Sequence, residues 1–268
     1  MVSREGLQAE KAKQFRVSIL KLAKEKFEVG AHLGSAFSIA DIFAVLSDYF
    51  DFHGVDNLVL SKGHASLALY SWIQDAQSPE TIVKFKEKLL GHPVKCVELG
   101  IKVSTGSLGI GFASAVGLAL HKKLHKEPGT VVVILGDGEC DEGIVYEAAR
   151  IASKHNLANL LAIVDINGFQ QTGSRVDISG DHSMEGLWRS LLWRTKHFDG
   201  HLLSDINDSL AQFHKEETSA NYPAVMFALT VKGKGLFPFE GSNESHHITL
   251  TPQRYDEMIS ALLGSDQN

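Results

Sequence analysis

Apolar positions along the chain follow two rhythms. Between residues 7 and 28, Phe15, Ile19, Leu22 and Ala23 recur at helical spacing among lysines and glutamates, which predicts an amphipathic helix. Ser38 stands as the expected N-cap of a helix over Ile39–Tyr49, closed by the polar segment Asp51–Asn57. Leu58-Val59-Leu60 predicts a short strand, followed by a helix from Ala65 to about Gln74 and another after Ser78-Pro79. From residue 131 onward the pattern alternates. Val131–Leu135 and Leu160–Val164 are continuous apolar runs, separated by a helix expected over Glu142–His155. A helix around Leu187–Leu192, a strand over Arg194–Phe198, a helix over Asp205–Glu216 and a strand over Ala224–Val231 complete the pattern. Strands apolar on both faces, each followed by a helix, predict a doubly wound, mostly parallel α/β sheet with helices on both faces. Ligands of such sheets bind at the carboxyl ends of the strands.

Composition narrows the class. At 268 residues, 44% hydrophobic and 22% charged, the chain has the balance of a folded globular protein and is read as a single domain over residues 1–268. Lys plus Arg number 26 against 32 for Asp plus Glu, a net charge of −6, which argues against a sequence-blind nucleic-acid binder. No apolar stretch reaches membrane-spanning length, and Met1-Val2-Ser3-Arg4-Glu5-Gly6 does not resemble a signal peptide. Cys96 and Cys140 form neither a disulfide framework nor a zinc pattern. A cytoplasmic protein is expected.

Three groups of residues could carry chemistry. Gly136-Asp137-Gly138-Glu139 follows one buried strand and Asn167 follows the next, so adjacent strands would set Asp137 and Asn167 side by side. A carboxylate and an amide oxygen suit Mg²⁺, which completes its shell with phosphate oxygens and water. The alternative is an Asp-capped tight turn beside an ordinary Asn-Gly turn. Gly106-Ser107-Leu108-Gly109-Ile110-Gly111 opens a helix expected to reach about Leu124, but its G-x-x-G-x-G spacing is not the dinucleotide fingerprint. Its glycines signify close approach of a ligand or of another helix. His32, His64, His92 and His246 sit in glycine- or serine-bounded loops, where imidazoles can shuttle protons near neutral pH or simply be solvated. His121, His125, His155, His197, His201 and His214 are expected to be surface residues, and no H-x-x-H or H-E-x-x-H spacing occurs.

Taken in order, these stretches resemble the amino-terminal half of transketolases. The resemblance is carried by Ala31-His32-Leu33-Gly34-Ser35, Leu60-Ser61-Lys62-Gly63-His64-Ala65, Gly91-His92-Pro93 and Ser104-Thr105-Gly106-Ser107-Leu108-Gly109. It continues through Gly136-Asp137-Gly138-Glu139-Cys140-Asp141-Glu142-Gly143, Val231-Lys232-Gly233-Lys234-Gly235 and Ser245-His246-His247. It implies a thiamine diphosphate-binding fold with Mg²⁺ held by Asp137, Asn167 and the carbonyl of Phe169. His64, Gly138 and Lys232 would lie along the diphosphate, with Gly106 and Leu108 beside the two rings. His32, His92 and His246 would line the substrate channel, with Ser35 beside them, and together with His64 would be the catalytic histidines. Glu142 and Glu147 match acidic residues at the interface between paired domains. Ile166 departs from thiamine enzymes that carry an asparagine there.

A complete transketolase is more than twice as long and includes a pyrimidine-binding domain that supplies an activating glutamate. The resemblance is therefore to the amino-terminal subunit of a split transketolase, active only with a carboxyl-terminal partner and assembled as α2β2. Together they would move a two-carbon ketol unit from a ketose, a sugar phosphate, to an aldose. Two alternatives stand beside it: a keto-acid-dependent carboligase resembling deoxyxylulose-phosphate synthase, and a non-catalytic cofactor-binding paralogue. His92 and His246 favour a hydroxylated sugar donor over a keto acid.

Overall fold

The computed structural model describes residues 3–25, 30–89, 91–217 and 219–264. Five strands form one sheet: β1 (Asn57–Leu60), β2 (Val131–Gly136), β3 (Leu160–Ile166), β4 (Arg194–Asp199) and β5 (Ala224–Leu229). They lie in the order β1-β2-β3-β5-β4, every pair parallel. Side chains alternate along β2 between two apolar layers. Val132 and Ile134 enter a core with Leu161, Ile163 and the helices Arg4–Lys24, Ala40–Leu46, Ser66–Ala76, Leu203–Glu217 and Pro252–Gly264. Val131, Val133 and Leu135 enter the opposite core with Leu160, Ala162, Val164 and the helices Ile110–His125, Gly143–Lys154 and Met184–Ser190. Burial on both faces explains why β2 and β3 read as unbroken apolar runs. Edge strand β4 is only half covered and correspondingly mixed in composition.

Local chemistry explains most boundaries. Ser3 caps the first helix, its Oγ accepting from Gly6 N at 3.0 Å, and that helix ends at Lys24. The expected continuation through residues 26–28 lies outside the described residues. Ser78 caps the helix Pro79–Lys84, whose proline occupies the first turn. The helix expected from residue 106 begins at Ile110, because Gly109 adopts φ 81°.

One expected cap is corrected. Ser38 closes the short helix Leu33–Phe37, and the following helix, Ala40–Leu46, has Ile39 at its N-cap without a side-chain bond. The Ser38 hydroxyl instead donates to Asp165 Oδ2 at 2.7 Å, a buried ionised acceptor that outcompetes a local amide. No described helix is long and apolar enough to cross a membrane.

Candidate functional site at the carboxyl edge of the sheet

In-register pairing of Gly136 with Asp165 brings the ends of β2 and β3 together. Asp137 and Asn167 then leave the sheet side by side. The Asp137 carboxylate accepts from Gly138 N through Oδ1 and from Gly168 N through Oδ2, both at 2.8 Å. Asn167 is oriented by its neighbour: Nδ2 donates to Asp165 Oδ2 at 2.8 Å, which leaves Oδ1 to accept from Phe169 N at 3.1 Å.

Behind them stands an ion pair that sequence reasoning missed. Lys62 and Asp165 are both fully buried and hydrogen-bonded to each other. Asp165 also accepts from Thr230 Oγ1 and Ser38 Oγ. Burial pushes the Asp165 carboxyl up, but the Lys62 ammonium and these donors outweigh it and hold the group below its usual range. At Asp137 the two backbone N–H donors and the Lys62 charge also act downward, but they are outweighed. Burial first, and then the Asp165 charge, push its carboxyl up to about 6.

A third buried carboxylate knits the loops together. Glu139 accepts from Ser61 Oγ at 2.5 Å, Gly109 N at 2.8 Å and Gly136 N at 3.2 Å. It thereby joins the ends of β1 and β2 to the loop that opens the helix Ile110–His125. The signal for these residues is a charge set at the end of an apolar strand run, as in Lys62 after Leu60 and Asp165 within Leu160–Ile166.

The expected residues converge on one cleft of about 410 Å³. Asp137, Gly138, Asn167, Phe169, Gly106 and Leu108 all line it. His32, His64, His92, His246 and Ser35 line the same cleft. His32 is the centre of the imidazole group, its ring centroid 6.1 Å from His64 and 5.1 Å from both His246 and His247. Burial, and then the Lys62 charge, hold His64 well below the ordinary imidazole range. Burial and Lys232 bring His246 down to about 4. Both rings are therefore neutral near pH 7 and can each donate and accept a hydrogen bond.

Other expected residues lie apart from the lining. Lys232 is buried one layer back, where its ammonium donates to Asn243 Oδ1 at 3.1 Å and to Gln170 O at 3.4 Å. Burial, and then Lys62, bring its pKa down to about 8. Glu142 and Glu147 are exposed, at the N-cap and within the helix Gly143–Lys154. Gln170 and Gln171, which nothing in the sequence singles out, also line the cleft.

The donor set fits a hard divalent cation with an attached phosphate. One carboxylate with a raised pKa, an amide oxygen and a peptide carbonyl are the oxygen ligands such an ion takes. Among the described residues no group of three or more His, Cys, Asp or Glu side chains gathers as a metal site, so this mixed set is the chemistry available. The cleft is also cleared for close approach. A Cβ at Gly138 would lie 2.8 Å from Gln170 Cγ, and Gly106 sits at φ 139° with His92 Cγ 3.1 Å from any Cβ there.

The family described as transketolase, thiamine diphosphate binding domain, matches residues 10–266. The chain is 32% identical over 268 residues to one of the subunits of the apulose-4-phosphate transketolase of Phocaeicola vulgatus, covering 94% of this chain and 92% of the relative. It is 33% identical over 252 residues to the 6-deoxy-6-sulfo-D-fructose transketolase subunit SqwG of a Clostridium species, covering 88% and 90%. Among solved structures, Campylobacter jejuni transketolase superposes with a TM-score of 0.78 at 27% identity, over 97% of this chain and 46% of that one. Leishmania mexicana transketolase gives 0.83 at 22% identity, over 96% and 41%. The chain thus spans less than half of these solved enzymes but about nine tenths of the two subunits. It belongs to the transketolase family, a transferase family, as the thiamine diphosphate-binding domain that in relatives named as subunits stands as a chain of its own.

Proposed function

We propose that this chain is the cofactor-binding subunit of a two-component cytoplasmic transketolase. With a partner chain bearing the pyrimidine-binding domain and its activating glutamate, it transfers a two-carbon ketol unit from a phosphorylated ketose to an aldose. The observation that carries the reading is that Asp137 and Asn167 line the same cleft as four histidines. In this reading Asp137, Asn167 and the Phe169 carbonyl hold Mg²⁺, and the bare backbone of Gly138 and Gly106 admits thiamine diphosphate. When bound, thiamine diphosphate stabilises the carbanion left as the carbon–carbon bond breaks.

The remaining work belongs to the chain's own side chains. Lys232 supplies positive charge behind the diphosphate. His64 and His246, held neutral by burial, can take a proton from a sugar hydroxyl at one ring nitrogen. His32 and His92 orient the sugar's remaining hydroxyls. Relatives named for apulose 4-phosphate and for 6-deoxy-6-sulfo-D-fructose support a ketose with a terminal anion as donor. Exposed Glu142 and Glu147 mark the surface for an α2β2 assembly.

The test is reconstitution. The purified chain alone should show no ketol transfer, and adding the partner chain that co-purifies with it should restore turnover with thiamine diphosphate and Mg²⁺. Transfer by the single chain at the rate of the pair would overturn the proposal. Turnover with pyruvate but not with a ketose phosphate would assign keto-acid chemistry instead.

A further inference from the structure

The turn that carries Lys232 is gripped on both sides by a buried polar cluster outside the cleft lining. At its centre is Asp41, on the helix Ala40–Leu46 and 8% exposed. Arg16 Nη1 and Nη2 donate to the two Asp41 oxygens at 3.0 and 2.6 Å. His201 Nδ1 lies 2.7 Å from Asp41 Oδ2. Although expected at the surface, the His201 side chain is 13% exposed, because the loop after β4 folds it against Asp41.

The free ends of both partners reach the same turn. Arg16 Nε donates to Lys234 O at 2.9 Å, and His201 Nε2 accepts the Val231 N–H at 2.8 Å. A ring nitrogen that accepts a backbone N–H carries no hydrogen of its own, so the His201 ring hydrogen sits on Nδ1 and is donated in a hydrogen bond to Asp41. Burial pushes the Asp41 carboxyl up, but the bonds from His201 and Arg16 outweigh it and keep it ionised. Val231 and Lys234 bracket Lys232, and the Lys232 ammonium in turn joins Asn243 Oδ1 to the carbonyl of Gln170, a residue of the cleft lining.

We infer that Arg16, Asp41 and His201 form a clamp on the Val231–Lys234 turn, which holds the Lys232 ammonium in place and so sets how tightly the cleft binds a diphosphate. His201 is a positioning residue, since it reaches the cleft only through the Val231 backbone. The affinity part of the inference rests on the reading of the cleft given under Proposed function, whereas the clamp itself rests on the hydrogen bonds alone.

Three substitutions in the full chain separate the clamp from packing. His201→Gln can place an oxygen where Nε2 accepts from Val231, His201→Asn is too short to do so, and His201→Leu offers no acceptor. Two readouts are needed: hydrogen exchange of the Val231 amide, and calorimetric affinity for thiamine diphosphate with Mg²⁺. Loss of the acceptor in His201→Asn and His201→Leu should speed Val231 exchange and weaken cofactor binding about tenfold, whereas His201→Gln should stay within about threefold of wild type. Unchanged Val231 exchange in His201→Leu, or equal losses in His201→Gln and His201→Leu, would overturn the clamp. Lys232→Met serves as the control for the cleft. If it leaves affinity untouched while Val231 exchange still responds to His201→Leu, the clamp stands and the diphosphate reading falls.

Discussion

Asp165 and Asp137 are two buried carboxylates treated differently by their surroundings. Lys62, Ser38, Asn167 and Thr230 all turn donors toward Asp165, whereas Asp137 is held by two backbone N–H groups and raised to about 6. The first is scaffolding; the second is the carboxylate proposed to hold the cation. Asp137→Ala should therefore abolish Mg²⁺-dependent cofactor binding, measured by calorimetry, since it removes the carboxylate from the donor set. Retained affinity would place the metal elsewhere. His92 is an exposed residue of the cleft lining; with the substrate-channel role proposed for it, His92→Ala should leave cofactor affinity nearly intact and slow turnover of the reconstituted pair. Released cofactor with unchanged turnover per bound cofactor would remove His92 from the substrate channel. The paired Asp137 and Asn167 are legible in the sequence because turn chemistry after an apolar run is local. The Lys62–Asp165 pair is not, because it spans 103 positions.

At the scale of elements, the helix Ile110–His125 crosses close to the loop after β1. A Cβ at Gly111 would lie 2.6 Å from the Ser61 Cα, and Ser61 Oγ itself accepts from Phe112 N at 2.8 Å while donating to Glu139. Backbone leaves no room to yield. Gly111→Ala should cost about 1–3 kcal/mol in urea denaturation, the usual range for overpacking. A loss below about 0.5 kcal/mol would mean that the crossing is looser than these distances. The spacing of these glycines marks close approach, but does not say whether a ligand or a helix approaches. Within one motif the neighbours differ: Gly111 meets the loop after β1, and Gly106 meets His92 in the cleft. Only the path of the chain separates the two.

For the whole molecule, burying imidazoles beside ammonium groups has a cost that depends on pH. The unfolded chain protonates a histidine near 6.5, but in the native fold His246 is held at about 4 and His64 is shifted the same way. Within that window the unfolded state binds more protons, so these two residues make stability fall as pH drops from about 6.5 toward about 4. Asp137 and Glu139, whose carboxyls are raised, act in the opposite sense. The comparison that isolates the histidines is the urea midpoint of wild type against a His64→Gln, His246→Gln variant. The variant should gain stability relative to wild type between about pH 7 and about pH 5. A pH-independent difference would contradict the depressed values.

The sequence by itself determined the layered α/β class, the buried strands β2 and β3, and the Gly-Asp-Gly and Asn-Gly turns that end them. These follow from side-chain period and turn stereochemistry, which act over a few residues. Tertiary structure decided that β3 pairs with β5 and leaves β4 at the edge, because an apolar period identifies a face and not a neighbour. It also decided that His32, His64, His92 and His246 share one cleft, that Ser38 serves Asp165 instead of a helix, and that His201 lies within a buried cluster. Desolvation and Coulomb interactions depend on distances in space, and in this chain those distances join residues far apart in the sequence.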